Sequence, residues 1–216
     1  MSKEENKKSN SATSVILNVL IVLLTVIGTV LIMTIHPRMG TLQTNGLENF
    51  KYYTVLSNVL CGLAALIYLI FTCLKKDTST LIPLKLGAVC STTITFCVVA
   101  FFFGPLYGWI QFYYYANLVF HLLEPVLAIA EFLYTSRKYI PFRYTVYSAV
   151  PTLIYGLGYG LNIMINGMGG PWPDSNDFYG FLHWGWNIGA LILLSTTFIA
   201  FLIACIFRKL CNSRAG

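Results

Sequence analysis

Charged side chains are scarce in this chain: 14 Lys and Arg and 8 Asp and Glu make up 10% of its 216 residues. Soluble globular domains carry about a quarter charged residues, so this chain has too few to cover a surface that faces water. The formal net charge of +6 falls in short clusters between apolar runs, which argues against a nucleic-acid partner. The six cysteines form no CxxC pair, so we expect free buried thiols without a disulfide framework.

Hydrophobic residues make up 56% of the chain and are gathered in six long runs. Each run can cross a hydrocarbon layer of about 30 Å, and each should be helical because backbone groups in lipid need internal partners. The predicted spans are roughly 14–35, 52–74, 82–103, 113–134, 143–165 and 184–207. We therefore predict an all-α membrane protein with one six-helix domain over 14–208, a disordered tail over 1–13 and a short tail over 209–216. Gly104-Pro105-Leu106-Tyr107-Gly108 predicts a turn after the third span.

The positions of Lys and Arg predict the orientation of the spans. With the N-terminus in the cytoplasm, only Arg38 and Lys51 lie outside. The other twelve then lie on the cytoplasmic side: Lys3, Lys7, Lys8, Lys75, Lys76, Lys85, Arg137, Lys138, Arg143, Arg208, Lys209 and Arg214. Because cytoplasmic loops are rich in Lys and Arg, this bias predicts a multi-pass protein of the cell membrane with both termini cytoplasmic.

The fourth span carries polar residues that are costly in a membrane and usually face the interior of a helix bundle. Four of them share one helical face: Asn117, His121, Glu124 and Glu131. Glu131 lies near the inner end of the span, where pairing with Arg137 or Lys138 is the favoured interpretation. His121 lies about 12 Å into the span, as a site residue or as a histidine that only bonds a neighbouring helix.

The second span and the last outer loop place further polar groups at a similar depth. Thr54 and Asn58 share a stripe in the outer half of the second span. Outer-loop residues and the start of the last span add Trp172, Asp174, Asp177, His183 and Asn187. This loop predicts either an ordered cap over the outer mouth or an interfacial loop anchored by Trp. Together these groups predict a shared cavity that opens outward or into the outer leaflet.

Three motifs carry a resemblance to a known family. They are Phe50-Lys51-Tyr52-Tyr53-Thr54-Val55-Leu56-Ser57-Asn58, then Asn117-x-x-x-His121-x-x-x-Pro125 followed by Glu131-Phe132, and Pro171-Trp172-Pro173-Asp174. In these motifs the chain resembles the bacterial multipass relatives of the androgen-induced and androgen-dependent fatty-acid-ester hydrolases, which are intramembrane threonine hydrolases. The relatives usually have Asp-Trp at Glu131-Phe132 and Tyr at Trp172. The resemblance implies that Thr54 is the nucleophile and His121 its partner.

Such a pair would cleave a membrane lipid or another lipophilic ester without a cofactor. His121 would activate the Thr54 hydroxyl, Glu124 would orient the imidazole, and the oxyanion would be held by side chains, with Asn58 and Asn187 as candidates and Asn117 in support.

Two alternatives remain open. The first is a metal-dependent lipid hydrolase that binds Zn²⁺ through His121 and His183 with Asp174, Asp177 or Glu124. The second is a non-enzymatic lipid-binding or transport protein that uses His121 and Glu124 as a proton relay or headgroup contact.

Overall fold

The computed structural model describes residues 3–34, 46–136, 138–171 and 174–214, with side chains described from residue 12 onward. In these ranges six helices are long and apolar enough to cross a membrane, which confirms the predicted fold class. They are α1 (Lys3–Thr34), α2 (Tyr53–Cys73), α3 (Thr78–Tyr107), α4 (Ala116–Thr135), α5 (Phe142–Asn166) and α6 (Trp186–Asn212). The described ranges contain no β-strand, only an isolated bridge between Gly169 and Ser175.

The helices run further than the apolar runs at three places. Helix α1 begins at Lys3, within the predicted disordered tail, and α6 continues to Asn212. Once a span has nucleated a helix, each added residue gains a hydrogen bond, and Lys and Glu are good helix formers. The predicted turn at 104–108 is wrong, because α3 continues through Pro105 to Tyr107 and the chain turns at Gly108, whose φ is +90°.

Helices α3 and α4 each contain one widened π-helical turn, at Val99–Phe103 and at Val119–Leu123. Both π turns end two residues before a proline, Pro105 in α3 and Pro125 in α4. In each, the residue before the proline donates its N–H to the carbonyl five residues back. A proline ring clashes with the carbonyl four residues before it in a regular α-helix, and the wider turn relieves that clash.

Helix α3 lies at the centre of the bundle, between α1, α2 and α4 on one side and α5 and α6 on the other. Ser14 of α1 and Arg214 after α6 lie at the same end of the bundle: Ser14 bonds Glu131 near the end of α4, and Arg214 bonds the Leu133 carbonyl. We call this the N-terminal end. The opposite end, called the cap end, holds the start of α2 and the connection 167–185.

Helices α1 and α4 make a close contact at Gly28. A Cβ at this position would lie 2.4 Å from Cε1 of Phe120, whose ring is fully buried. We expect Gly28→Ala to destabilise the protein by about 1–3 kcal/mol, because the ring has no free space to enter. The measurement is the thermal unfolding midpoint in detergent micelles.

Gly158 on α5 is the matched control, since a Cβ there meets open space. Gly158→Ala is expected to leave the midpoint unchanged or raise it, by up to about 1 kcal/mol of helix propensity. Equal midpoints for Gly28→Ala and Gly158→Ala would show that the α1–α4 contact is not tight.

Candidate active site

A cavity of about 860 Å³ occupies the bundle near its cap end. Helices α2 to α6 and the connection 167–185 contribute to its wall, which is mostly aromatic and aliphatic. Apart from its tyrosines, the polar residues of the wall are Thr54, Thr95, Gln111, His121, Thr152 and Thr196. Its size and its few polar groups are typical of a site for a small apolar molecule. Thr54 and His121, predicted from separate spans, therefore share one cavity.

The Thr54 hydroxyl lacks the backbone hydrogen bond that most threonines in the membrane spans make. Thr25, Thr72 and Thr93 all donate to the carbonyl four residues earlier, which is the usual arrangement for a membrane threonine. Among the described residues, Thr54 Oγ1 has no hydrogen-bond partner. Thr54 is the second residue of α2, and Tyr52 directly before the helix has an extended backbone, so the carbonyl four residues before Thr54 is not in the α-helical position.

The orientation of the His121 ring is set by the Phe112 carbonyl. His121 is 4% exposed, and its Nδ1 lies 3.0 Å from Phe112 O. A carbonyl oxygen only accepts hydrogen bonds, so Nδ1 carries the proton and Nε2 keeps its lone pair in the neutral ring. Phe112 also lines the cavity, and its ring meets the imidazole edge to face. The imidazole is thus held in the tautomer in which Nε2 can accept a proton.

The start of α2 leaves backbone donors beside Thr54. The first intrahelical bond of α2 runs from Leu56 N to Tyr52 O, at 3.2 Å. Tyr53 N–H donates to the Tyr179 hydroxyl, at 2.8 Å. The N–H groups of Thr54 and Val55 have no partner within the described ranges, as expected for the first turn of a helix.

The Asn58 side chain connects α2 to α4 by hydrogen bonds. Its Nδ2 donates to Thr54 O at 2.7 Å and to Phe120 O at 3.0 Å. Phe120 O lies in the π turn, where Glu124 N–H bonds one residue further back and Pro125 has no N–H. Asn58 therefore satisfies a carbonyl that the helix leaves open, and both of its amide hydrogens are used.

Glu124 and Asn117 lie beside the cavity wall and do not line it. Glu124 is fully buried, and its Oε1 lies 2.8 Å from the Thr25 hydroxyl oxygen on α1. The sequence predicts that Glu124 orients the imidazole. In the structure the imidazole is instead bonded to the Phe112 carbonyl. Asn117 is buried, and its Nδ2 donates to Gln111 O at 3.4 Å, which ties the α3–α4 connection to the start of α4.

The described part of the connection 167–185 covers the cavity. Asp177 holds it: one carboxylate oxygen accepts from the Tyr159 hydroxyl of α5 and the other from Leu182 N–H. This bond network presents Phe178 and Tyr179 to the cavity. Burial raises the pKa of the Tyr179 hydroxyl, which stays protonated while it accepts the bond from Tyr53 N–H.

Three residues predicted for this region lie away from the cavity, and one is outside the described residues. Asp174, His183 and Asn187 are exposed and do not line it. Trp172 falls outside the described residues. The cap residues that do reach the cavity are Phe178, Tyr179 and Phe181. They lie between Asp177 and His183 of the predicted set and carry no chemical signature that sequence reasoning could have used.

Among the described residues, no three His, Cys, Asp or Glu side chains come together in a way that could hold a metal ion. His121 and His183, which the metal alternative paired, do not share the cavity. No protein-family description, characterised protein or solved structure matches this chain.

Proposed function

We propose that this protein is an intramembrane hydrolase of lipophilic esters, with Thr54 as nucleophile and His121 as general base. The observation that carries the proposal is the pairing within one apolar cavity of an unbonded threonine hydroxyl and an imidazole whose Nε2 is the free nitrogen. A threonine hydroxyl is a weak nucleophile and needs a base of this kind. The resemblance in the Thr54 and His121 motifs points to the same chemistry.

The reaction proceeds through an acyl-enzyme. His121 Nε2 takes the proton of Thr54 Oγ1 as that oxygen attacks the ester carbonyl, and the protonated ring then gives the proton to the departing alcohol. Thr54 is left as an acyl ester. A water molecule activated by His121 attacks this ester, releases the fatty acid and returns the hydroxyl to Thr54. The Phe112 carbonyl stabilises the imidazolium that forms in each half, because it accepts the Nδ1 proton.

The oxyanion is held by the first turn of α2. The Thr54 and Val55 N–H groups are the donors adjacent to the nucleophile, and the helix N-terminus favours negative charge. This assignment replaces Asn58, whose amide hydrogens are both bonded. It also replaces Asn187, which is exposed.

The site faces the outer leaflet of the cell membrane in this proposal. Lys75, Lys76, Lys138 and Arg208 belong to the N-terminal end of the bundle, whereas Lys51 lies at the cap end. Because cytoplasmic segments are rich in Lys and Arg, this distribution favours cytoplasmic termini and an outward-facing cap.

His121→Gln tests the role of the base. Gln can donate to the Phe112 carbonyl as the imidazole does, but it cannot accept a proton. We expect ester turnover by purified protein to fall by about 10²–10⁴-fold, the usual contribution of a general base. His183→Gln, on the exposed part of the cap, is the control and should keep full turnover. Full turnover by His121→Gln would reject this mechanism.

Lipid binding without catalysis is the second candidate, and one observation favours it. Within the described residues no hydrogen bond joins Thr54 to His121. A hydrolase would therefore have to bring the two side chains together when substrate enters, whereas a protein that only binds lipid would not. A protein that binds fatty esters but shows neither turnover nor labelling by a fluorophosphonate probe would belong to this class.

A further inference from the structure

The cavity wall carries hydrogen-bonding groups but no fixed charge. None of its described residues is Asp, Glu, Lys or Arg, and its polar groups are hydroxyls, one amide and His121. Lys51, whose ammonium lies 5.3 Å from the centroid of the Phe178 ring, is not a lining residue. A bound molecule therefore meets no described counter-ion in the wall.

The mouth of the cavity can be located from residues that line it and are also exposed. On α3 these are Val98, Phe102 and Tyr107, at 39%, 58% and 60% exposure. The deep wall residues Val99 and Phe112 are at 3% and 5%. The exposed edge is apolar and belongs to a membrane-spanning helix, so it faces lipid.

The other edge of the mouth belongs to α6. Towards the N-terminal end, Ala204 of α6 packs in one buried cluster with Leu86 and Cys90 of α3. Towards the cap end, Ile192 and Thr196 of α6 and Val98 of α3 line the cavity instead. Helices α3 and α6 therefore pack against each other in the N-terminal half of the bundle and are separated by the cavity in the cap half.

We infer that the cavity takes an ester that is uncharged along its whole length, and that this ester enters sideways from the lipid between α3 and α6. The inference rests on the proposed function and adds the substrate class. Moving a carboxylate or phosphate into an apolar cavity without a counter-ion costs several kcal/mol, so charged lipids are excluded. An uncharged ester meets no such penalty, and the wall hydroxyls can bond its carbonyl.

The test compares three palmitoyl esters that differ at one end: those of octanol, of ω-hydroxyoctanamide and of ω-hydroxyoctanoate. They are titrated against the full-length Thr54→Val variant, which cannot consume them, at a pH where the carboxylate is ionised. The readout is the ligand-dependent rise of the thermal unfolding midpoint. We expect the octyl ester and the amide to bind, and the carboxylate to bind at least about tenfold more weakly.

Two results would overturn the inference: a carboxylate affinity within tenfold of the octyl ester, or no binding of the octyl ester. Binding without hydrolysis by the wild-type protein would reject the proposed function and leave the substrate class standing, so the two failures are distinguishable.

Separate variants test the lateral entry route between α3 and α6. Thr196→Trp fills the α6 edge of the mouth, and we expect it to weaken octyl ester binding by at least about tenfold. Leu194→Trp, two residues away, is the control, because Leu194 is 61% exposed and does not line the cavity. Val98→Trp repeats the test from α3 if Thr196→Trp lowers the midpoint of the unliganded protein. Unchanged binding in the folded variants would overturn the route between α3 and α6.

Discussion

Thr54→Val is expected to abolish both ester turnover and covalent labelling by a fluorophosphonate probe. Valine has nearly the shape of threonine, so the variant removes the nucleophilic oxygen and leaves the cavity wall in place. In serine hydrolases the loss of the nucleophile lowers kcat by about six orders of magnitude, and the remaining rate comes from binding and oxyanion stabilisation. We expect a loss of at least about 10³-fold, measured on purified protein with a chromogenic fatty ester.

Two further variants make this result specific. Thr95→Val removes another hydroxyl of the same wall, one that lies 3.2 Å from Ser57 Oγ, and it should keep both labelling and turnover. Thr54→Ser restores a hydroxyl and should be labelled. If Thr54→Val and Thr95→Val are labelled equally well, Thr54 is not the nucleophile.

The shared position of Thr54 and His121 is the part of the site that could be predicted from the sequence. Helical spacing placed each on an inward face, and matched depth placed them at one level. The same reasoning could not find Phe112, because its role depends on how the α3–α4 connection folds back on α4. It could not find Phe178 and Tyr179 either, because the cap is positioned by a bond between Asp177 and a tyrosine 18 residues earlier.

The π turns are an intermediate case, since their signal was present in the sequence. Pro125 lies inside the fourth apolar run and Pro105 directly after the third, and a proline within a helix removes a helical hydrogen bond. The sequence around Pro105 predicts a turn, whereas the helix accommodates the proline by widening. In α4 the widened turn carries His121 and exposes the Phe120 carbonyl to Asn58. The proline thereby positions both the base and the contact between α2 and α4.

The ion-pair partner of Glu131 could not be predicted from the neighbouring sequence. The favoured interpretation is pairing with Arg137 or Lys138, of which Arg137 falls outside the described residues. The structure pairs Glu131 with Lys85 on α3, at 2.5 Å between Oε1 and Nζ. Lys138 instead pairs with Asp77, at 3.2 Å. Lys85 lies 46 residues from Glu131, and only the packing of α3 against α4 brings them together.

Breaking the Lys85–Glu131 pair is expected to destabilise the protein by about 3–5 kcal/mol. Glu131 is 1% exposed, and its Oε1 also accepts from Asn18 and Ser14 of α1, so the carboxylate joins three helices. Lys85→Met would leave this buried charge without its counter-ion, and Glu131→Gln would leave the ammonium without one. An uncompensated buried charge accounts for most of the loss. The measurement is the free energy of unfolding from denaturant titration in detergent micelles.

The double variant Lys85→Met/Glu131→Gln separates the pair from its surroundings. It removes both charges and keeps an amide oxygen for the α1 donors, so it should recover most of the stability that each single change loses. Lys138→Met is the control, because the Lys138 and Asp77 side chains are 64% and 61% exposed and such surface pairs contribute about 0–1 kcal/mol. Single variants as stable as Lys138→Met would show that the buried pair does not hold α1, α3 and α4 together. Since α3 and α4 both continue from this pair to the cavity wall, loss of the pair should also lower ester turnover, in proportion to the unfolded fraction.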